Sequence, residues 1–125
     1  MSHGLILFAH GARDPRWALP FEAVAARVRA ARPGVPVRLA YLEFMAPNLP
    51  DAGAELAGAG CTRIEVVPMF LGTGGHVRKD LPALLDRVRA AHPGLHVTLH
   101  TAVGEMDSVM MAMAAAALAT LGEPP

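Results

Sequence analysis

Two histidines and a glutamate stand where their side chains could act together. His10 directly follows the apolar run at residues 4–9, and Glu43 follows a second apolar stretch. His76 follows a third such stretch, across a segment that contains three glycines. Two imidazoles and one carboxylate suit a borderline divalent ion such as Co²⁺, Fe²⁺, Ni²⁺ or Zn²⁺. We therefore take His10, His76 and Glu43 as candidate metal ligands, and the two histidines as candidate catalytic residues.

Each of these residues also has a simpler interpretation. A histidine after a buried strand is often structural, and Glu43 could cap the nearby helix. Neutral imidazole, however, can both bind a metal and accept a proton near neutral pH, because its unperturbed pKa is about 6.5. The coincidence of all three residues at strand ends favours a shared role.

The segment from residue 71 to residue 76 carries little side-chain bulk. A segment rich in glycine lets a flat or bulky ligand approach the backbone closely. The pattern is neither a Gly-x-Gly-x-x-Gly fingerprint nor a P-loop, so a phosphate site is the weaker interpretation. A flexible loop without a ligand is the other alternative. The predicted substrate-binding residues are Leu71, Gly72, Thr73, Gly74, Gly75 and His76.

Alternating strand and helix patterns predict where these residues lie in the fold. We predict strands at residues 4–9, 35–42, 63–67 and 95–100, and helices at residues 16–32, 48–59, 80–92 and 106–121. Asp80-Leu81-Pro82 predicts the start of the third helix. Four strand–helix units predict a flavodoxin-like three-layer α/β/α domain with a four-stranded parallel sheet. Ligands bind beyond the carboxyl ends of the strands in such a sheet, which is where the three candidate ligands fall.

Two further histidines belong to the fourth predicted strand. His96 and His100 alternate with Leu95, Val97 and Leu99, so they share one face with Thr98. Such alternation is typical of an edge strand with one exposed face. The simplest interpretation places both histidines on the solvent side without a chemical role.

Composition limits the other classes of function. The 125 residues predict a single domain, and eleven basic residues balance eleven acidic ones. A neutral chain gives no argument for nucleic acid or a membrane surface as partner. The longest apolar stretch, residues 109–119, is shorter than the roughly 20 residues of a membrane span. One cysteine, Cys61, and a start without basic residues lead us to expect the reducing cytoplasm.

The last predicted helix is apolar nearly all the way round between residues 109 and 119. One of its faces can pack on the sheet, but a surface helix of a monomer should show a polar opposite face to water. We therefore predict that a second copy covers this helix in a two-fold homodimer. A tightly packed terminal helix with surface alanines is the alternative.

Three segments together resemble the small sirohydrochlorin chelatases, the class II chelatases of cobalamin and sirohaem synthesis. They cover nearly the whole chain in the family's order and spacing. They are residues 7–15 (LFAHGARDP), residues 42–44 (LEF) with Pro47, and residues 67–72 (VPMFLG) followed by Gly75-His76 and Asp80-Leu81-Pro82. The resemblance implies insertion of a divalent metal, with Co²⁺ favoured, into sirohydrochlorin or a related tetrapyrrole. A ferrochelatase and a nickel chelatase are the alternatives.

The resemblance also implies residue roles and partners. It implies that His10 and His76 bind the metal, that His10 accepts protons from the pyrrole nitrogens, and that residues 71–76 line the tetrapyrrole site. It implies a homodimeric cleft, and the chemistry needs no cofactor beyond the metal substrate. Some members carry a glutamate where this chain has Ala46, so a carboxylate contact is lacking at this point.

Three cationic residues lie close in sequence to the two histidines. Arg13, Arg78 and Lys79 could pair with carboxylates of the macrocycle, or they could be ordinary solvated surface.

Two other functions compete with a chelatase. A histidine phosphatase also has a histidine after its first strand, in an Arg-His-Gly motif, but Ala9 stands here in place of the arginine. A metal carrier would use the same histidines without binding a tetrapyrrole.

Overall fold

The computed structural model describes residues 2–72 and 74–124, and only the backbone of His76. Thr73, one of the predicted substrate-binding residues, lies outside the described residues. The strands are β1 (Ser2–Ala9), β2 (Val37–Tyr41), β3 (Cys61–Pro68) and β4 (His96–Leu99). The α-helices are α1 (Leu19–Ala31), α2 (Leu49–Gly58), α3 (Gly75–Ala91) and α4 (Asp107–Ala119). Short 3-10 helices, Pro15–Ala18 and Val103–Glu105, precede α1 and α4.

The sheet is parallel throughout, with strand order β2-β1-β3-β4. β1 is central, and its residues Ile6–Ala9 are all buried. A strand covered on both faces needs a continuous apolar run, which explains the sequence of β1. β4 lies at one edge, as the alternating pattern of its residues predicted.

Helices cover both faces of the sheet. On one face, α2 and α3 pack over the main core, while α1 packs on the other face against β1 and β2. The predicted three-layer α/β/α domain with a four-stranded parallel sheet is confirmed. The largest fully buried side chains of the main core are Ile6, Phe8, Leu49, Leu56, Ile64, Val66 and Leu85.

Helix α3 begins at Gly75, so the prediction that it starts at Asp80-Leu81-Pro82 was wrong. Its buried stripe runs through Val77, Leu81, Leu85 and Val88, at helical spacing that starts before the proline. Burial of these side chains outweighs the cost of Pro82, which lacks an N–H for the helical ladder. Gly75 and His76 therefore lie in the first turn of α3 rather than in a loop.

Helix α4 projects from the domain, and none of its residues is buried. Within residues 2–72 and 74–124, it packs to any extent only against the 3-10 helix Val103–Glu105. The expectation that one face of this helix packs on the sheet was therefore wrong. Neither α4 nor any other described helix has the length and apolar character that crossing a membrane requires. The large exposed apolar residues of α4 and its C-terminal end are Met110, Met111, Met113, Leu118 and Leu121.

Candidate functional site

The ends of β1 and β2 bring His10 and Glu43 together. Hydrogen bonding between these neighbouring segments continues past the strands, because Leu42 N–H donates to Ala9 C=O over 3.0 Å and Glu43 N–H donates to His10 C=O over 3.1 Å. The side chains meet as well, with 2.9 Å between His10 Nε2 and Glu43 Oε1. The carboxyl edge of the sheet thus places two of the three predicted ligands in contact.

Gly11 allows this close approach. Its φ of +92° lies in the left-handed region, and a Cβ at this position would collide with the carbonyl oxygen of Glu43. Only glycine meets both conditions without strain. The contact between His10 and Glu43 therefore depends on the residue that follows the histidine.

Phe70 also contacts the His10 ring, and it was not among the residues predicted from the sequence. The two rings meet edge to face with their centroids 6.4 Å apart, and Phe70 packs in turn on Phe8 at 5.9 Å. Phe70 directly precedes the segment assigned to the substrate. The signal that could have identified it is an aromatic residue just after a buried strand, at the edge where His10 lies.

The loop after β4 holds the loop after β3. Gly104 N–H donates to Phe70 C=O over 2.9 Å, and a Cβ on Gly104 would collide with the backbone of Leu71. This contact fixes the start of the predicted substrate segment. Sequence spacing gave no indication of it, because the two loops are distant along the chain.

The described glycines of the predicted substrate segment have open surroundings. Leu71 is exposed, and among the described residues no atom outside the adjacent chain lies within 4 Å of the position that a Cβ would take at Gly72, Gly74 or Gly75. Backbone without neighbouring side chains leaves room for a ligand to approach it. The His76 side chain, the third predicted ligand, is outside the described structure.

The geometry of His10 and Glu43 fits two adjacent ligands of one ion. A nitrogen and an oxygen each about 2.1 Å from a metal, at about 90° to each other, lie roughly 3 Å apart. The observed separation is 2.9 Å, and both side chains are about half exposed. Among the described residues, no group of three His, Cys, Asp or Glu side chains is arranged to hold a metal.

Two shifted pKa values belong to residues near this edge. Burial raises the pKa of Tyr41, and the negative charge of Glu22 adds to the effect. Hydrogen bonds from the side chain and the backbone N–H of Arg16 lower the pKa of Asp14, which caps the 3-10 helix Pro15–Ala18. Tyr41 therefore stays protonated and Asp14 ionised at neutral pH, so neither is suited to transfer protons there.

The three predicted cationic residues differ in their surroundings. The Arg13 guanidinium lies 4.9 Å above the ring of Phe44. Arg78 pairs with Glu105, with 3.7 Å between Nη2 and Oε1. Lys79 is exposed on α3. Arg13 is the one closest in sequence to the contact between His10 and Glu43.

Fold and site together define an α/β protein that presents an imidazole–carboxylate pair at the carboxyl edge of a parallel sheet. Comparison with known proteins narrows this class. The chain belongs to the CbiX family, whose model matches residues 4–119. The family resemblance predicted from the sequence is confirmed.

Curated relatives carry a consistent name. The chain is 34% identical over 83 residues to the sirohydrochlorin cobaltochelatase of Methanosarcina acetivorans, and 30% identical over 82 residues to that of Methanococcoides burtonii. Each alignment covers 66% of this chain. The alignments cover 64% and 63% of these relatives, which is less than two thirds of their length.

Solved structures share the fold over nearly the whole chain. A cobalamin (vitamin B12) biosynthesis CbiX protein from Marinobacter aquaeolei VT8 matches with a TM-score of 0.84 and 33% identity, covering 95% of this chain and 97% of that one. SirB from Bacillus subtilis with Fe³⁺ matches with a TM-score of 0.82 and 25% identity. That match covers 99% of this chain and 49% of SirB.

Proposed function

We propose that this protein is a metal chelatase that inserts a divalent ion, with Co²⁺ favoured, into sirohydrochlorin or a related tetrapyrrole. The observation that carries the proposal is the 2.9 Å contact between His10 Nε2 and Glu43 Oε1 at the carboxyl edge of the sheet. The relatives named sirohydrochlorin cobaltochelatase support the choice of macrocycle and metal. SirB, whose structure was solved with Fe³⁺, supports iron as an alternative metal.

The reaction needs a base and a temporary ligand for the ion. Insertion removes two N–H protons from the macrocycle and transfers a partly dehydrated cation to its nitrogens. In our proposal, His10 Nε2 and Glu43 Oε1 hold the incoming ion first. When the ion moves to the macrocycle, the released imidazole accepts one pyrrole proton, and the adjacent carboxylate stabilises the imidazolium. His76 serves as the further ligand and accepts the second proton.

The remaining predicted residues surround the macrocycle in this proposal. Residues 71–76 line its site, supported by the open space beside Gly72, Gly74 and Gly75. Arg78 and Lys79, which are exposed on α3 just after His76, pair with peripheral carboxylates of the macrocycle in this proposal. The reaction needs no cofactor besides the metal substrate. The free thiol of Cys61 supports a reducing, cytoplasmic location.

We further propose that residues 1–125 act as one chelatase domain within a two-fold homodimer. The unpartnered apolar surface of α4 supports this assembly, because water would otherwise contact Met110, Met111 and Met113. A tetrapyrrole also needs two walls, whereas the domain offers one open edge. In the dimer, the same surface is used twice and the two edges face each other.

Sedimentation at micromolar concentration tests the assembly. The wild type should sediment as a dimer. Met111→Lys should shift it towards the monomer, because Met111 is 64% exposed on α4 and a charge there opposes burial. A control substitution on α1, Arg27→Gln, should leave the dimer intact. An active species at the monomer mass would contradict the dimeric cleft.

An insertion assay tests the function directly. The purified protein is incubated with sirohydrochlorin and with Co²⁺, Fe²⁺ or Ni²⁺ separately, and the absorbance of the macrocycle is followed. The account predicts insertion well above the rate without protein, fastest with Co²⁺. Metal binding without accelerated insertion would overturn the chelatase and identify a metal carrier.

A further inference from the structure

Phe44 has a backbone conformation that bulky residues rarely adopt. Its φ of +66° lies in the left-handed region, where glycine or asparagine is the usual residue. Phe44 is nevertheless 58% exposed, so burial of the ring does not compensate for the strain. A large residue that is strained and exposed at once points to a role outside the fold of its own domain.

The position of Phe44 relates it to the candidate metal ligands. It directly follows Glu43, whose carboxylate contacts His10. Met45 N–H donates to Glu43 C=O over 2.8 Å, which closes a tight turn around Phe44 and fixes its backbone. The ring is therefore held on a defined turn beside the imidazole–carboxylate pair.

Arg13, on the loop that follows β1, approaches the ring of Phe44. Its guanidinium carbon lies 4.9 Å from the ring centroid, within the range of a cation–π contact. Arg13 follows His10 by three residues and Phe44 follows Glu43 directly, so these two candidate ligands each have one of the two side chains on their own loop. With Arg13 over one face, more than half of the Phe44 surface is still exposed.

We propose that Phe44 and Arg13 form a docking platform for the tetrapyrrole. The conjugated macrocycle stacks on the open face of the Phe44 ring, and the Arg13 guanidinium pairs with one of its peripheral carboxylates. The inference rests on the proposed function, since it assigns two binding residues to that substrate. Phe44 and Arg13 set the plane of the macrocycle, while His10 and Glu43 handle the metal and the protons.

The chemistry of the two side chains matches such a ligand. A flat π-system stacks favourably on an aromatic ring in an offset arrangement. A guanidinium binds a carboxylate through two parallel N–H donors and stacks on aromatic faces at the same time. The contact with Phe44 pre-orients the Arg13 side chain, which lowers the entropy that it loses on binding a carboxylate.

Equilibrium titration of the metal-free macrocycle tests the platform. Sirohydrochlorin binding is measured from its own absorbance and fluorescence, and Co²⁺ binding is measured separately without the macrocycle. Phe44→Gly should weaken sirohydrochlorin binding about three- to ten-fold, because it removes the stacking contact. Its thermal stability should not fall, since glycine adopts the left-handed backbone without strain. Phe44→Trp keeps an aromatic face and should bind like the wild type.

The contribution of the Arg13 charge to binding is tested by substitution, with a second exposed arginine as the control. Arg13→Gln should weaken sirohydrochlorin binding about two- to five-fold at low salt, and the difference should shrink at high salt. Arg27→Gln, an exposed arginine on α1, should have no effect at either salt concentration. Neither Phe44→Gly nor Arg13→Gln should change the affinity for Co²⁺, because the metal ligands remain.

The outcomes separate this inference from the proposed function. If the wild type binds sirohydrochlorin and Phe44→Gly binds it equally well, the platform is overturned while the chelatase stands. A parallel loss of Co²⁺ affinity in Phe44→Gly would also overturn it, because Phe44 would then act by holding Glu43 in place. If the wild type itself does not bind sirohydrochlorin, the proposed function fails, and the platform fails with it.

Discussion

The described residues form two imidazole–carboxylate groups, and we propose a metal-handling role for only one of them. At the carboxyl edge, His10 contacts Glu43 at 2.9 Å. On the sheet surface, Glu65 of β3 contacts His3 of β1 at 3.0 Å and His100, just after β4, at 2.9 Å. The distances are nearly equal, so distance alone does not distinguish the two groups.

The difference lies in which oxygens are already used and in what surrounds them. Both Glu65 oxygens accept a hydrogen bond, one from each imidazole, and these bonds lower the pKa of Glu65. The three side chains do not form a metal-holding group among the described residues. Glu43 differs, because only one of its two oxygens has a hydrogen-bond partner among the described residues.

The surroundings of the two groups differ in the same direction. Glu65 lies in register with Leu5 and Thr98, in the body of the sheet. Glu43 lies beyond the strand ends, at the edge that also carries the open backbone at Gly72, Gly74 and Gly75. Ligands bind at that edge in parallel α/β sheets. We infer that the saturated carboxylate of Glu65 stabilises the fold, whereas the partly satisfied carboxylate of Glu43 can accept a substrate ion.

Removing an imidazole from each group should give the largest contrast. His10→Ala is expected to lower the rate of metal insertion about 10²–10⁴-fold, because it removes a base and a ligand together. The matched variant His100→Ala should leave the rate unchanged, since its partner Glu65 has no role in the reaction. Insertion rates and circular dichroism of both variants check this. Near-normal insertion by His10→Ala would exclude this residue from the reaction.

His76→Ala should also abolish most insertion, by about 10²-fold or more. The fold should survive, because alanine is a good helix former in the first turn of α3. Measuring Co²⁺ affinity alongside the insertion rate separates a ligand from a base. If both quantities stay at wild-type levels, the assignment of His76 is wrong.

Gly11→Ala tests whether the edge group depends on its glycine. The side chain would enter the space of the Glu43 carbonyl at a left-handed φ, so we expect a loss of about 1–3 kcal/mol in unfolding free energy and slower insertion. Gly34→Ala is the control, because no atom lies within 4 Å of its Cβ position. That control should stay within about 0.5 kcal/mol of the wild type. Equal stability of the two variants would contradict the close approach.

The contribution of Glu65 to the free energy of unfolding should be small and should depend on pH. Because the folded-state pKa of Glu65 is depressed below the ordinary value of 4.5, its stabilisation is present above that value and is lost as pH falls through the folded pKa. Glu65→Gln should therefore be less stable than the wild type at about pH 5.5, by about 0.2–1 kcal/mol, and the gap should close towards pH 3. Urea unfolding at both pH values measures it. A gap that widens in acid would contradict the depressed pKa.

The sheet and the placement of His10 and Glu43 at its carboxyl edge could be predicted because both follow from strand periodicity. A continuous apolar run predicts a strand buried on both faces, and parallel neighbours bring their carboxyl ends to one edge. The residue after each run is then a candidate for the site without knowledge of any tertiary contact. The exposed face of β4, with His96 and His100, follows from alternation in the same way.

Other features depend on contacts between distant segments, which periodicity does not encode. The early start of α3 results from burial of Val77 and Leu81, which outweighs the signal of Pro82. The position of Phe70 depends on the loop that contains Gly104. The apolar pattern of α4 indicated a covered helix, but it carries no information on which surface covers it. The contact of Arg13 with Phe44 joins two loops that are distant along the chain, and no sequence pattern links the two residues.

Locating a bound ion would show whether the carboxyl edge or the sheet surface handles the metal. A crystal of the protein soaked in Co²⁺ and measured at the cobalt absorption edge gives an anomalous difference map that covers the three histidine–glutamate contacts, of His10 with Glu43 and of His3 and His100 with Glu65. The account predicts a peak about 2.1 Å from an imidazole nitrogen of His10, with a Glu43 oxygen as the adjacent ligand. A peak between Glu65 and His3 or His100, with none at His10, would contradict it.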